Sequence, residues 1–116
     1  MRVLGEEHPD TLMAMNNLAS ILWAQGDHAG ARRLEERVLE VRTRVLGEEH
    51  PDTVTSMNNL ALTLWAQGEH ERALRLLRKC LAGQRKVLGE DHPDTVATAE
   101  SLRRLEAQAQ PKPPAA

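Results

Sequence analysis

The sequence predicts an all-α protein, an α-solenoid built from antiparallel helix pairs. Its most informative feature is a repeat, because GEEHPDT occurs at 5–11 and 47–53 and GEDHPDT at 89–95, so that one unit recurs every 42 residues. A period in this range is typical of solenoids, in which each unit buries its apolar face against its neighbours. The composition also favours an all-α fold. A chain with two Trp and no Phe or Tyr must pack with Ala, Leu, Val and Met, which suit close contacts between helices.

The first helix is predicted over 9–25. Pro9 suits the first helical position, where its missing N–H costs nothing, so His8 is expected to be the N-cap residue. Gly26 can adopt the left-handed conformation that ends a helix. The predicted apolar stripe follows helical spacing and consists of Leu12, Met15, Leu18, Ala19 and Leu22.

The second helix is predicted over 28–45 and ends before Gly47. The run RRLEER at 32–37 mixes both signs at helical spacings and is interpreted as a solvated face. The predicted apolar face of this helix consists of Ala31, Leu34, Val38, Val41 and Val45.

The same two helices are predicted again over 51–67 and 70–87, and a fifth over 93–108. The sequence therefore predicts two full helix pairs and a C-terminal capping helix. In terms of domains, this gives one helical repeat domain over 1–108, with units at about 9–46 and 51–88, and a flexible Pro/Ala-rich tail over 109–116.

The repeated string is interpreted as a joint, at which one helix ends and the next begins. Its residues His8, His50 and His92 could instead be metal ligands. A zinc site needs its ligands about 2 Å from one ion, whereas equivalent residues of stacked units lie about one helix diameter apart, ~10 Å. The spacing therefore argues against a shared metal. Since no catalytic triad or Gly-rich phosphate loop is evident either, no metal, cofactor or enzymatic activity is predicted.

The balance of charges argues against two classes of partner. The 15 Lys and Arg and 17 Asp and Glu give a net charge of −2 without blocks of one sign, so neither nucleic acid nor a membrane is expected as a partner.

The single cysteine, Cys80, excludes an internal disulfide and fits a reducing compartment. It aligns with Val38, so a buried thiol is expected. No apolar run approaches a membrane span, and the N-terminus lacks a signal-peptide pattern. A soluble, cytoplasmic protein is expected.

The helix pair NNLASILWAQGDHAGARRLEERVLE, at 16–40, resembles the tetratricopeptide repeat. The usual unit of that family has about 34 residues, and the longer unit here, with NNLA and LG…HPDT, is similar to the kinesin-light-chain type. The resemblance implies a right-handed stack whose first helices line a concave groove that holds an extended peptide. The family's pattern of Leu, small, large, Gly and Ala falls on Leu18, Ala19, Leu22, Gly26 and Ala31.

The resemblance also implies which side chains line that groove. On the fifth helix, Arg104 is the only cation that the family register assigns to the groove side. The positions on the two first helices are Met13, Asn16, Asn17, Ser20, Trp23 and Ala24, then Thr55, Asn58, Asn59, Leu62, Trp65 and Ala66.

The residue types suggest how such a groove would work. An Asn side chain has both donors and an acceptor, so it can pair with the backbone of any extended peptide. The alternative is that Asn17 and Asn59 hydrogen-bond to neighbouring helices and stabilise the stack. Trp23 and Trp65 lie beside the apolar stripe, either as binding hot spots at the groove edge or as large side chains that fill the core. Two His residues after the inter-helix turns, His28 and His70, are expected to pack.

The two ends of the array are expected to differ. On the fifth helix Glu100 and Ser101 replace the Asn pair and Arg103 replaces the small Ala, which indicates a polar cap. At the other end, Met1–Leu4 match only the last turn of a second helix, so the chain is interpreted as a fragment of a longer array. An uncapped end should expose apolar surface and favour a two-fold homodimer. The apolar residues expected there are Leu12, Met15, Leu34 and Val38.

Two functions follow from these expectations. The favoured one is a non-catalytic protein–protein interaction module that binds an extended peptide segment in the concave groove. The alternative is a structural or oligomerisation spacer from a larger signalling protein, with no peptide ligand of its own.

Overall fold

The computed structural model describes residues 7–109, which form five α-helices and no strand. Each helix packs mainly against the helices before and after it, so the predicted all-α solenoid is confirmed, and the predicted helix bounds differ by at most one residue. No helix in this part of the chain is long and apolar enough to cross a bilayer. The helices are α1 (Pro9–Ala24), α2 (His28–Leu46), α3 (Pro51–Ala66), α4 (His70–Val87) and α5 (Pro93–Ala109).

The predicted joints begin α1, α3 and α5 in the same way. At each, the imidazole Nδ1 of the cap His accepts a hydrogen bond from the backbone N–H two residues later, with N···N distances of 3.1 Å at His8, 3.0 Å at His50 and 3.1 Å at His92. The preceding helical residue is Pro, which has no N–H, so this bond satisfies the first N–H that lacks a partner within the helix. The interpretation of HPDT as a helix start is therefore confirmed.

The same joints end the second helices. Gly47 follows α2 with φ of 93° and Gly89 lies just after α4 with φ of 92°, a conformation that side chains with a Cβ rarely adopt. Across the joint, Glu49 lies 2.8 Å from Nζ of Lys86, and Glu7 pairs with Arg44 at the equivalent positions one unit earlier. Such exposed ion pairs add little stability, so the backbone geometry of the joint determines the path of the chain.

Small residues form the contacts between helices. The alanines of the family pattern, Ala19 and Ala31 with Ala61 and Ala73, are buried, which lets the helices approach closely. Between α2 and α3, the buried hydroxyl of Thr53 donates to the carbonyl oxygen of Arg42 at 3.3 Å. This buried hydroxyl in the α2–α3 interface is therefore partnered by the backbone of the neighbouring helix.

Two residues of the predicted apolar stripes are exposed, which makes those predictions wrong. Leu18 on α1 is 47% exposed and Val45 on α2 is 50% exposed. The equivalent of Leu18 in the second unit, Leu60, is only 6% exposed, because α2 packs on α3, whereas no described helix covers the same side of α1. The burial of a side chain in this array therefore depends on which neighbour the unit has.

The prediction of which apolar residues are exposed at the N-terminal end of the stack is also wrong. Leu12 and Val38 are buried against each other's helices, Met15 packs beside them, and Leu34 is half-buried. The apolar side chains that α1 exposes there are instead Leu18 and Ile21. The segment Met1–Leu4, and the predicted tail beyond Ala109, lie outside the described residues.

The cap of α3 can be tested by mutation. His50→Ala removes the acceptor for an N–H at the start of a central helix, and we expect the free energy of unfolding to fall by about 1 kcal/mol. Asn is a strong N-cap residue, so His50→Asn should keep most of that stability. Urea unfolding followed by circular dichroism measures both variants. Equal losses for the two would contradict a capping role.

Candidate functional site

The predicted groove residues lie on α1, α3 and α5, and most of them are accessible. Met13, Leu62 and Trp23 are exposed large apolar side chains. The other predicted residues are partly or fully exposed and comprise Asn16, Asn17, Ser20, Thr55, Asn58, Asn59, Trp65 and Arg104.

One cavity of about 260 Å³ lies between the two helix pairs, and we call it the α1–α3 cavity. It brings together predicted residues from α1 and α3, but Met13, Asn17 and Arg104 are not in its wall, nor are the remaining predicted positions. It also includes two residues that the sequence analysis did not select. The lining residues are Ser20, Trp23, Glu35, Asn59, Leu62 and Thr63.

The two Trp side chains occupy equivalent positions but different environments. Trp23 is 42% exposed and lines the α1–α3 cavity. Trp65 is half-buried and packs against the core that α3, α4 and α5 share. Each ring contacts the His after the next turn, with centroid distances of 4.8 Å to His28 and 3.9 Å to His70. Each His therefore packs on its Trp as expected, but only His28 is half-buried and His70 is exposed.

The Asn side-chain amides of α1 and α3 have no protein partner within the described part of the chain. Across residues 7–109, no hydrogen bond joins the side-chain amides of Asn16, Asn17, Asn58 or Asn59 to another residue. The proposed role in bonding neighbouring helices is therefore not seen, and Asn59 contributes its backbone oxygen to Thr63 instead. These amides are left with unfilled hydrogen-bonding capacity at the surface of α1 and α3.

Glu35 is the functional candidate that the sequence analysis missed. The interpretation of RRLEER as a solvated face is wrong for this residue, which is 7% exposed. It is also wrong for Arg32, which is half-buried and forms an ion pair with Glu69 in the turn between α3 and α4. Burial raises the pKa of the Glu35 carboxyl, and the nearby hydroxyl of Thr63 partly offsets that effect. Its Oε1 has no hydrogen-bond partner among the described residues. The signal was available, since Glu35 lies four residues after Ala31 on the buried face.

Cys80 is buried as expected and has no role at this site. Its side chain is fully covered, and its Sγ lies 3.6 Å from the carbonyl oxygen of Val54. Burial raises the pKa of the thiol to about 11. The group is therefore a neutral thiol near pH 7, which makes it a poor nucleophile and a poor metal ligand.

The described residues do not assemble a metal site. Within 7–109, no cluster of three or more His, Cys, Asp or Glu side chains is placed to hold an ion. The joint residues His8, His50 and His92 each bond to the backbone of a different helix. The accessible chemistry of this surface is that of hydrogen bonds, apolar contacts and one buried carboxylate.

Sequence comparison identifies the repeat. The sequence model of the tetratricopeptide repeat matches residues 1–44 and 10–86, which together cover most of the chain. Among curated proteins, no sequence matches this chain.

Several solved structures of similar repeats have the same architecture as this chain. The nearly identical TPR-like repeats of a Podosopora anserina protein described as a kinesin light chain share 33% sequence identity, with a TM-score of 0.84, and a variant of that protein gives 33% and 0.83. Each match covers 89% of this chain and 49% of the other, so this chain spans about half the length of those structures. BtubC (BKLC) from P. vanneervenii has the same fold at 19% identity, with a TM-score of 0.68 and coverage of 96% and 54%.

Proposed function

The chain belongs to the tetratricopeptide repeat family, of the kinesin-light-chain-like type, and from this premise we propose that it is a non-catalytic module that binds an extended peptide across the α1–α3 cavity. Repeats of this family generally mediate contacts between proteins. The proposal adds the surface and the form of the ligand. An extended peptide leaves its backbone N–H and C=O groups unpaired, so a surface that supplies both donors and acceptors can bind it without regard to sequence.

The observation that carries the proposal is the set of unpaired Asn amides on the first helices. Asn58 and Asn59 are half-buried, and within the described residues their side chains have no hydrogen-bond partner. Asn is a mediocre helix former, so adjacent Asn residues inside α1 and α3 cost helix stability that the fold does not recover through their side chains. Trp23 and Leu62 provide accessible apolar surface beside Asn59 in the same cavity. Together they combine polar groups that fix a backbone with apolar area that adds affinity.

The proposal predicts a specific loss in a double variant. Asn17→Ala with Asn59→Ala should weaken binding to peptides that the unaltered chain selects from a displayed random library by about tenfold or more, because two sets of backbone hydrogen bonds are lost. Helicity should not change, since Ala is the better helix former. Affinity is measured by isothermal titration and helicity by circular dichroism.

The matched control is a double variant on the second helices. Arg33→Ala with Glu71→Ala removes two exposed side chains from α2 and α4 and leaves the net charge unchanged. It should bind the selected peptides like the unaltered chain. Equal affinity of the Asn double variant would contradict the groove, and a library that yields no enriched peptide would favour the spacer function.

A second candidate function, self-association, is favoured by the outer side of α1. Ile21 is 55% exposed and Leu18 is 47% exposed, whereas their equivalents in the next unit, Thr63 and Leu60, are buried under α2. Two exposed branched apolar side chains one helical turn apart form a patch that a second copy could cover with the same residues, in a two-fold contact. We propose this α1 face as the dimer surface, in place of the residues that the sequence suggested.

The dimer makes its own prediction. At micromolar concentration the unaltered chain should sediment as a dimer, and Leu18→Lys with Ile21→Lys should convert it to a monomer that keeps its helicity. The control is Val87→Lys, which replaces a comparably exposed apolar side chain at the far end of α4 and should leave the dimer intact. A monomeric unaltered chain would exclude self-association through this face.

A further inference from the structure

Glu35 departs from the repeat at a position where the fold itself prefers an apolar side chain. One unit later, 42 residues along, the same position is Leu77, which is fully buried. Its neighbour in the α1–α3 cavity, Thr63, corresponds to Leu105, and Leu77 and Leu105 belong to one apolar cluster. The second interface of this stack thus uses a Leu–Leu layer where the first uses Glu35 and Thr63. The stack does not need a carboxylate there.

The cost of that carboxylate is visible in its environment. Glu35 is more than nine-tenths buried, and its Oε1 makes no hydrogen bond to any residue in 7–109. An unpaired buried acceptor destabilises the fold, and it does so more strongly when it is charged. A buried charge without a partner is costly unless a cation or several donors reach it. A cation from outside the described residues would supply both the missing hydrogen bond and the compensating charge.

The remaining wall of the cavity defines the chemistry of that partner. The five other lining residues are uncharged, so none of them neutralises Glu35. Trp23 supplies an indole, whose face attracts cations, and Ser20 and Asn59 supply oxygen acceptors. Glu35 lines the cavity, and the broad terminal torsion of a Glu side chain lets the carboxylate reorient there when a partner binds. A carboxylate, an indole and neutral acceptors are the groups that bind a guanidinium or an ammonium ion.

We propose that the α1–α3 cavity is a specificity pocket for one basic side chain, Arg or Lys, of the bound peptide, with Glu35 as its counter-ion and Trp23 as its wall. This inference rests on the proposed peptide-binding function and adds the residue class that the peptide must carry. The rest of the peptide would bind through the Asn amides, which do not select side chains. Specificity thus arises at one position, where an unmatched peptide would leave the buried carboxylate unpaired.

The first experiment uses small probes and does not need a peptide ligand. The full chain, labelled with ¹⁵N, is titrated with N-acetyl-arginine methylamide and N-acetyl-lysine methylamide, and then with the norleucine analogue as an uncharged control. We expect a saturable shift of the Trp23 indole N–H with at least one basic probe and none with norleucine. Glu35→Gln should abolish the shift. Glu40→Gln, the same change on an exposed residue of α2, should not affect it.

The second experiment tests the pocket in a longer ligand. Peptides selected by the unaltered chain from a displayed random library should share Arg or Lys at one position. Replacing that residue with norleucine should weaken binding by about 10- to 100-fold, the value of a hydrogen bond to a charged group. The same replacement should have almost no effect on Glu35→Gln, so that the two changes are strongly coupled.

The outcomes separate the pocket from the groove. Basic probes that bind while no library peptide is enriched would support the pocket and contradict the proposed function. If the enriched peptides share no basic residue and the basic probes cause no shift of the Trp23 signal, the groove is supported and the pocket is overturned. Glu35→Leu guards against a folding artefact, because it introduces the residue that the next unit has at this position, Leu77, and should stay helical while it loses the probe shift. A probe shift that survives in this folded variant would also overturn the proposal.

Discussion

The structure depends on one repeated local interaction, the bond from a backbone N–H to the imidazole of the cap His at the start of each first helix. Pro removes the preceding N–H, and Gly47 or Gly89 ends the helix before the joint with a positive φ. These three residue types fix where each helix ends and the next begins. Because the joint returns every 42 residues, equivalent side chains point in equivalent directions, and the rows of Asn and Trp on the first helices follow from that register.

Identical residues at equivalent positions of the two units nevertheless have different environments. Trp23 borders a cavity whereas Trp65 packs against the core. The reason is that each unit has different neighbours: α3 lies between α2 and α4, whereas α1 packs mainly on α2 among the described helices. In a solenoid, stability and exposure are shared between adjacent units. The accessible surface of such an array therefore depends on the interfaces between units as much as on the units themselves.

The sequence predicted the features that are local and failed where burial depends on a neighbour. The cap role of His8 and the helix bounds follow from the joint itself, and they were right to within one residue. Leu18 and Val45 fit an apolar spacing but are exposed, because periodicity cannot tell which side of a helix has a partner. Glu35 was assigned to solvent because its neighbours are charged. Two signals would have placed it at a buried position, namely its spacing of four residues from Ala31 and its equivalence to Leu77 in the next unit.

The central claim, that the first helices form the binding surface, is tested most directly by NMR. The chain has two Trp, so the two indole N–H signals report on α1 and α3 separately. When a peptide selected from a random library is added to the ¹⁵N-labelled chain, both indole signals and the side-chain amides of Asn58 and Asn59 should shift. The backbone signals of Arg33 and Glu71 on the second helices should not. Shifts confined to α2 and α4, with unchanged indole and Asn signals, would contradict the account.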